Sequence, residues 1–191
     1  MLSRERAIEI FTKANALLNG HFRLTSGRHS NQYMQCAQVL QYPQYAEQLC
    51  SHLVEKFKGD QIDLVIGPAM GGIIVAYETA RALGVKSIFT ERDNGVMTLR
   101  RGFVIEPGQR VLVCEDVVTT GGSVKEVINI VKEKGGLVAG VALLVDRSNG
   151  TVDFGVKTEA VLSLEIVSYE PEECPLCKEG LPVVKPGSRQ V

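Results

Sequence analysis

Glu115 and Asp116 stand side by side at the end of an apolar run, Val111-Leu112-Val113-Cys114, and lead into Val117-Val118-Thr119-Thr120-Gly121-Gly122-Ser123. A turn rich in hydroxyls and glycines that opens onto a helix offers unpaired amide groups and small side chains, which together make a cradle for a phosphate. Gly121 and Gly122 carry no Cβ, so the backbone there can approach an anion closely. The two carboxylates would repel that anion and must face something else. Vicinal hydroxyls, or a hard cation such as Mg2+, are the natural partners of such oxygens. A phosphate on one side and a diol or Mg2+ on the other describes a phosphorylated ribose.

Other motifs in the chain are weaker. Gly67 and Gly72 have the glycine spacing of a Walker loop, but Ile73-Ile74 occupy the positions that need Lys and Ser/Thr, and no G-x-G-x-x-G occurs. Cys174-Pro175-Leu176-Cys177 has the spacing of metal ligands but supplies only two of the four a structural zinc needs, so it is read as an ordinary pair of tail cysteines. His21, His29 and His52 have no spacing that indicates a catalytic triad and are read as structural. Cys114 is a small core residue.

The elements that must hold the strand tip follow from periodicity. Ala7, Ile8, Phe11, Ala14, Leu17 and Leu18 recur at helical spacing, with Ser3 as N-cap and Gly20 as the stop. A second helix is expected from Pro43 to Lys58, before Gly59. From residue 62 short apolar runs alternate with helices. The strands are Ile62–Ile66, Lys86–Thr90, Arg110–Cys114 and Leu137–Val145; the helices are Ile73–Leu83 and one opening near Val124. Unbroken apolar strands separated by amphipathic helices predict a parallel sheet covered on both faces, with ligands beyond the carboxyl ends of the strands. A β-rich piece near Ala160–Tyr169 closes the chain.

Composition bounds the rest. The 191 residues fit one domain, and 22 acidic against 21 basic side chains argue against a duplex nucleic-acid binder. Charge within Met-Leu-Ser-Arg-Glu-Arg speaks against an export signal, and no stretch approaches the roughly 18 apolar residues of a membrane span. Five scattered cysteines, an odd number, suit reduced thiols and a cytoplasmic location.

The acid pair with its Thr/Gly loop resembles the signature of the type I phosphoribosyltransferases. The likeness extends to the orotate phosphoribosyltransferase family through Gly20-His21-Phe22, Leu24-Thr25-Ser26-Gly27-Arg28, Gln41-Tyr42-Pro43, Gly67-Pro68-Ala69 and Val145-Asp146-Arg147. The resemblance implies an α/β fold: a central, mostly parallel sheet with helices on both faces, a core of about residues 60–150, and a small hood from about 20–40 and 155–191. It implies that Glu115 and Asp116 hold the ribose hydroxyls of phosphoribosyl diphosphate (PRPP). Thr119 to Ser123 would bind the 5′-phosphate, with Val117 and Val118 also contacting PRPP and Thr119 also near the base, and Met70-Gly71 would meet the pyrophosphate. Arg147 and Ser26 would contact orotate. Glu91 to Gly102 would be a mobile loop whose cations are Arg92, Arg100 and Arg101, with no Lys or His from 92 to 102; Arg92 would act electrostatically.

The implied cofactor is Mg2+, held mainly through PRPP and, where it touches protein, near Asp116. The implied state is a homodimer with the loop offered across subunits, and no nucleic-acid or membrane partner. The implied reaction gives orotidine 5′-monophosphate and pyrophosphate. Two other readings share the signature: a purine or xanthine phosphoribosyltransferase, and a non-catalytic PRPP sensor.

Overall fold

The computed structural model describes residues 2–24 and 26–186, so Thr25 of the expected hood lies outside the described residues. The first helix, α1 (Arg4–Lys13), begins where Ser3 accepts a hydrogen bond from the Arg6 amide at 3.2 Å. It ends earlier than its apolar spacing predicts. Asn15 adopts φ 52°, while the amides of Asn15 and Ala16 donate to the carbonyls of Thr12 and Phe11. This is a helix-ending motif with asparagine in the left-handed position that glycine usually fills. Leu17 and Leu18 therefore start a strand, β1 (Leu17–Arg23), and are not the last turn of a helix. β1 pairs antiparallel with β2 (His29–Met34).

After a short helix α2 (Ala37–Leu40), α3 (Pro43–Lys56) opens with proline at its start. The core then alternates: β3 (Leu64–Pro68), α4 (Gly71–Leu83), β4 (Lys86–Asp93), β5 (Val96–Leu99), β6 (Arg110–Val118), α5 (Gly122–Glu133), β7 (Leu137–Asp146) and β8 (Thr158–Ser163). These strands form one six-stranded sheet in the order β5-β4-β3-β6-β7-β8, parallel except for β5 at the edge. β9 (Ser168–Tyr169) joins β1 and β2 in a separate three-stranded sheet, the hood, and α6 (Pro175–Lys178) follows it. The boundary differs from expectation at one point. Thr158–Ser163 falls within the segment expected in the hood, yet it completes the large sheet, because its ladder to β7 aligns Leu162 with Val145 and buries it.

The sheet is covered on both faces, and alternation along β6 shows how. Leu112 and Cys114 pack with α1, α3 and α4, whereas Val111 and Val113 pack with α5. On α5, Val124, Val127, Ile128 and Val131 are buried at helical spacing. Each such side chain contributes roughly 1.5–3 kcal/mol relative to exposure. The strand that ends in the acid pair is thus clamped from above and below, with β3 and β7 on its flanks.

Candidate active site

β6 runs further than its apolar stretch and includes Glu115 and Asp116, so the acid pair belongs to the sheet itself. Glu115 is 8% exposed, and its Oε1 accepts the Asp116 amide at 3.1 Å. Asp116 Oδ1 accepts the Val117 amide at 2.8 Å. Neither carboxylate forms an ion pair among the described residues. Burial, and then the charge of Asp116, push the Glu115 carboxyl up to about 9. Burial also raises Asp116. Two acids held this close without a counter-charge form a site waiting for a cation or for hydroxyl donors.

The loop between β3 and α4 lies against these acids. A Cβ at Gly71 would overlap the Asp116 carboxylate. One at Gly72 would stand 2.7 Å from Pro68 Cδ and 3.1 Å from Glu115 Oε1. The peptide between Ala69 and Met70 is cis, and Met70 is 83% exposed. Only glycine permits this approach of the loop to the acids.

Beyond Val118 the chain turns into α5. Gly121 has φ 74°, and a Cβ there would meet Val152 Cγ1 at 2.7 Å, so glycine is needed for both conformation and space. The first helical bond runs from the Lys125 amide to the Gly121 carbonyl. The amides of Gly122, Ser123 and Val124 are therefore left without helical acceptors, at the positive end of the helix dipole.

Two cavities meet at this tip. One, of about 700 Å³, is bounded by Glu115, Val117 to Val124, Arg92 and Glu126. The other, of about 590 Å³, lies between the sheet edge and the hood and is lined by Ser26, Tyr33, Arg147, Ile166 and Lys185 among others. Val117, Thr119 and Thr120 line both. Arg147 is set by its amide, which donates to the Val118 carbonyl at 2.8 Å. Its Nε is buried without a partner among the described residues, and burial lowers its pKa.

The loop cations are divided. Arg92 lines the larger cavity of its own chain and holds Glu126 with both terminal nitrogens, at 2.5 and 3.3 Å. Arg101 is paired with Glu91 at 2.8 and 3.0 Å, and Arg100 reaches Glu91 and Asp93; neither lines a cavity. The segment from Glu91 to Gly102, expected as a loop, contains the antiparallel hairpin of β4 and β5. The polar run masked it, although Asn94, at φ 50°, and Gly95, at φ 85°, form its tight turn. Sequence reasoning missed Tyr33, Glu126 and Lys185. Nothing in the sequence connects Lys185 to a cavity built mainly from residues 23–35 and 117–147, whereas the Asn-Gly dipeptide could have revealed the hairpin.

Comparison with known proteins places this geometry. The phosphoribosyl transferase domain model matches residues 37–167. The chain is 66% identical over 190 residues to the orotate phosphoribosyltransferase of Pelotomaculum thermopropionicum and 62% identical over 190 residues to that of Desulforamulus reducens, covering all of both chains in each case. A solved orotate phosphoribosyltransferase from Aeropyrum pernix superposes with a TM-score of 0.71 at 27% identity, covering 82% of this chain and 93% of that one.

Proposed function

Because the chain belongs to the phosphoribosyltransferase family, and within it to the orotate phosphoribosyltransferases, we propose that it transfers the phosphoribosyl group of PRPP to orotate and releases pyrophosphate. The observation that carries this reading is the single strand tip shared by two cavities: one edged by Glu115 and the helix N-terminus, the other by Arg147 and the hood. Glu115 and Asp116 receive the ribose hydroxyls, neutral groups that suit buried acids lacking a counter-ion; with its carboxyl pushed up to about 9, Glu115 keeps its proton near neutrality and can both donate to and accept from a hydroxyl. Residues 119–123 hold the 5′-phosphate through the free amides of α5. Orotate lies in the smaller cavity, where its carboxylate meets the unpartnered guanidinium edge of Arg147, with Ser26 on the hood side.

Bond breaking at ribose C1 builds positive charge there and negative charge on pyrophosphate. Arg92 and the backbone of Met70 and Gly71 stand against the leaving group, and Arg92 first exchanges Glu126 for phosphate. Mg2+ bound with PRPP supplies further neutralisation, and the hard, uncompensated oxygen of Asp116 fits it on the protein side. Closure of the segment from Glu91 to Gly102 over the site would exclude water from the cationic carbon, with the hood covering the base.

A homodimer is supported by Met70, Ile74 and Tyr77, which are 83%, 42% and 62% exposed and recur on one face of α4. Arg100 and Arg101, which line neither of the two cavities, would serve a partner's site on exchanging Glu91 and Asp93 for its phosphates. Among the described residues no helix is long and apolar enough to cross a membrane, and the five unbridged cysteines support a reducing cytoplasm.

The test is a panel of bases. Protein, Mg2+ and PRPP are mixed with orotate, hypoxanthine, xanthine or adenine, and base consumption is followed. Consumption of orotate alone is expected. Consumption of a purine in its place selects a purine enzyme, and PRPP binding without any turnover selects a sensor.

A further inference from the structure

Four side chains from distant parts of the chain converge beneath the hood, away from the strand tip. His21 Nε2 lies 3.0 Å from His29 Nδ1, 3.5 Å from Cys174 Sγ and 3.7 Å from Cys177 Sγ, while Cys177 Sγ lies 3.3 Å from His29 Nδ1. No two of the four ligand atoms are more than 4.8 Å apart. We propose that His21, His29, Cys174 and Cys177 form a structural Zn2+ site that fastens the C-terminal segment to the hood.

Geometry comes first. Bonds of about 2.0–2.1 Å to nitrogen and 2.3 Å to sulfur give a tetrahedron with edges of roughly 3.3–3.8 Å. The four measured separations lie within a few tenths of an ångström of that range.

Hydrogen bonding gives a second, independent reason. His21 Nδ1 is 2.8 Å from the Leu181 carbonyl, which can only accept, so Nδ1 carries the proton and Nε2 presents a lone pair to the cluster. Three atoms crowd that one lone pair, and a single acceptor cannot satisfy them all. A cation at the centre satisfies all four groups, and the bond to Leu181 is the outer support that orients a ligating imidazole.

Charge agrees. Cys174 is fully buried, His21 and His29 are 5% and 7% exposed, and Cys177 closes the cluster on its exposed side. Two thiolates and two neutral imidazoles balance a dication, leaving no net charge in a buried place. With all four positions filled by protein the ion has no open site for substrate, so its role is to hold structure.

What it holds is specific. The segment after Cys177 returns to β1, where the Val184 amide donates to the His21 carbonyl and the Arg23 amide donates to the Val184 carbonyl, both at 2.8 Å. Lys185 and Pro186 then line the smaller cavity. The ion ties this wall to β1 and β2 and so sets the shape of the base cavity from behind. The expectation of plain tail cysteines does not anticipate that they converge on His21 and His29. The C-x-x-C offered two ligands, and its partners lie about 150 residues earlier in the chain.

The inference is independent of the transferase reading and is tested without turnover. Untagged full-length chain, expressed in zinc-supplemented medium and dialysed against metal-free buffer, is analysed for bound metals and free thiols. About one zinc per chain is expected, with the metal content of Cys174→Ser/Cys177→Ser falling at least tenfold. Cobalt loaded into the metal-stripped chain should give tetrahedral d–d bands with a sulfur charge-transfer band, and His29→Ala should weaken cobalt binding at least tenfold while the chain still melts cooperatively. Wild-type chain that carries no zinc and takes up no cobalt with its thiols reduced overturns the proposal, as does a Cys174–Cys177 disulfide in protein kept reduced throughout.

Discussion

At the scale of single residues, the acid pair determines most of what can be measured. On the proposed role, Glu115→Gln with Asp116→Asn puts a donor-only NH2 in place of one oxygen of each acid and removes the charge of Asp116, and kcat/KM should fall by at least about 10²-fold. The melt should stay cooperative, because both side chains sit at a strand end and not in the apolar core. Near-normal turnover would reject their role. The pair also writes a signature into stability. Burial holds the folded Glu115 carboxyl near 9 against an ordinary value of 4.5, so the folded chain keeps a proton that the unfolded chain releases. The stability tied to this group is fully present below about pH 4.5 and is lost as pH rises through about 9. Glu115→Gln cannot ionise and should escape that loss. Its Tm should exceed that of the parent chain by a margin that widens between about pH 5 and pH 9, with several degrees at the upper end. A margin independent of pH, read by calorimetry, would show that Glu115 is not buried as an uncompensated acid.

At the scale of elements, the junction between α1 and β1 decides where the hood begins. Asn15 sits at φ 52° and lets Leu17 and Leu18 leave the helix for the strand. A β-branched residue tolerates that conformation poorly, at about 1–2 kcal/mol. Asn15→Val should therefore lower the unfolding free energy by that amount, read as a lower urea midpoint at unchanged slope, while Asn15→Gly should leave the free energy within about 0.5 kcal/mol. If Asn15→Val were neutral, the left-handed stop would not be what ends α1. The hairpin of β4 and β5 gives the same lesson. Its charges obscured strands whose register depends on a two-residue turn and on the edge position they occupy.

At the scale of the whole molecule, the proposed homodimer rests on the apolar stripe of α4 and can be tested there. Ile74→Asp with Tyr77→Glu should shift the sedimenting species from dimer to monomer and lower turnover, without altering the helical signal. A double variant that still sediments as a dimer would place the interface elsewhere. Ile74 and Tyr77 touch neither cavity, so a loss of activity on dissociation would report the contribution of the partner's loop.

The sequence alone determined the sheet-and-helix core and the site at its centre, for a physical reason. Val111 to Cys114 carries an unbroken apolar signal, and the chemistry that follows occupies nine consecutive residues, 115–123, so both are local. Tertiary structure alone decided the groups assembled from afar. The smaller cavity joins Arg147 to Ser26 and Lys185, the acid pair meets the Gly71 loop, and His21 and His29 meet Cys174 and Cys177. Such contacts depend on how strands are ordered and how the tail returns, and no short stretch of sequence encodes that distance.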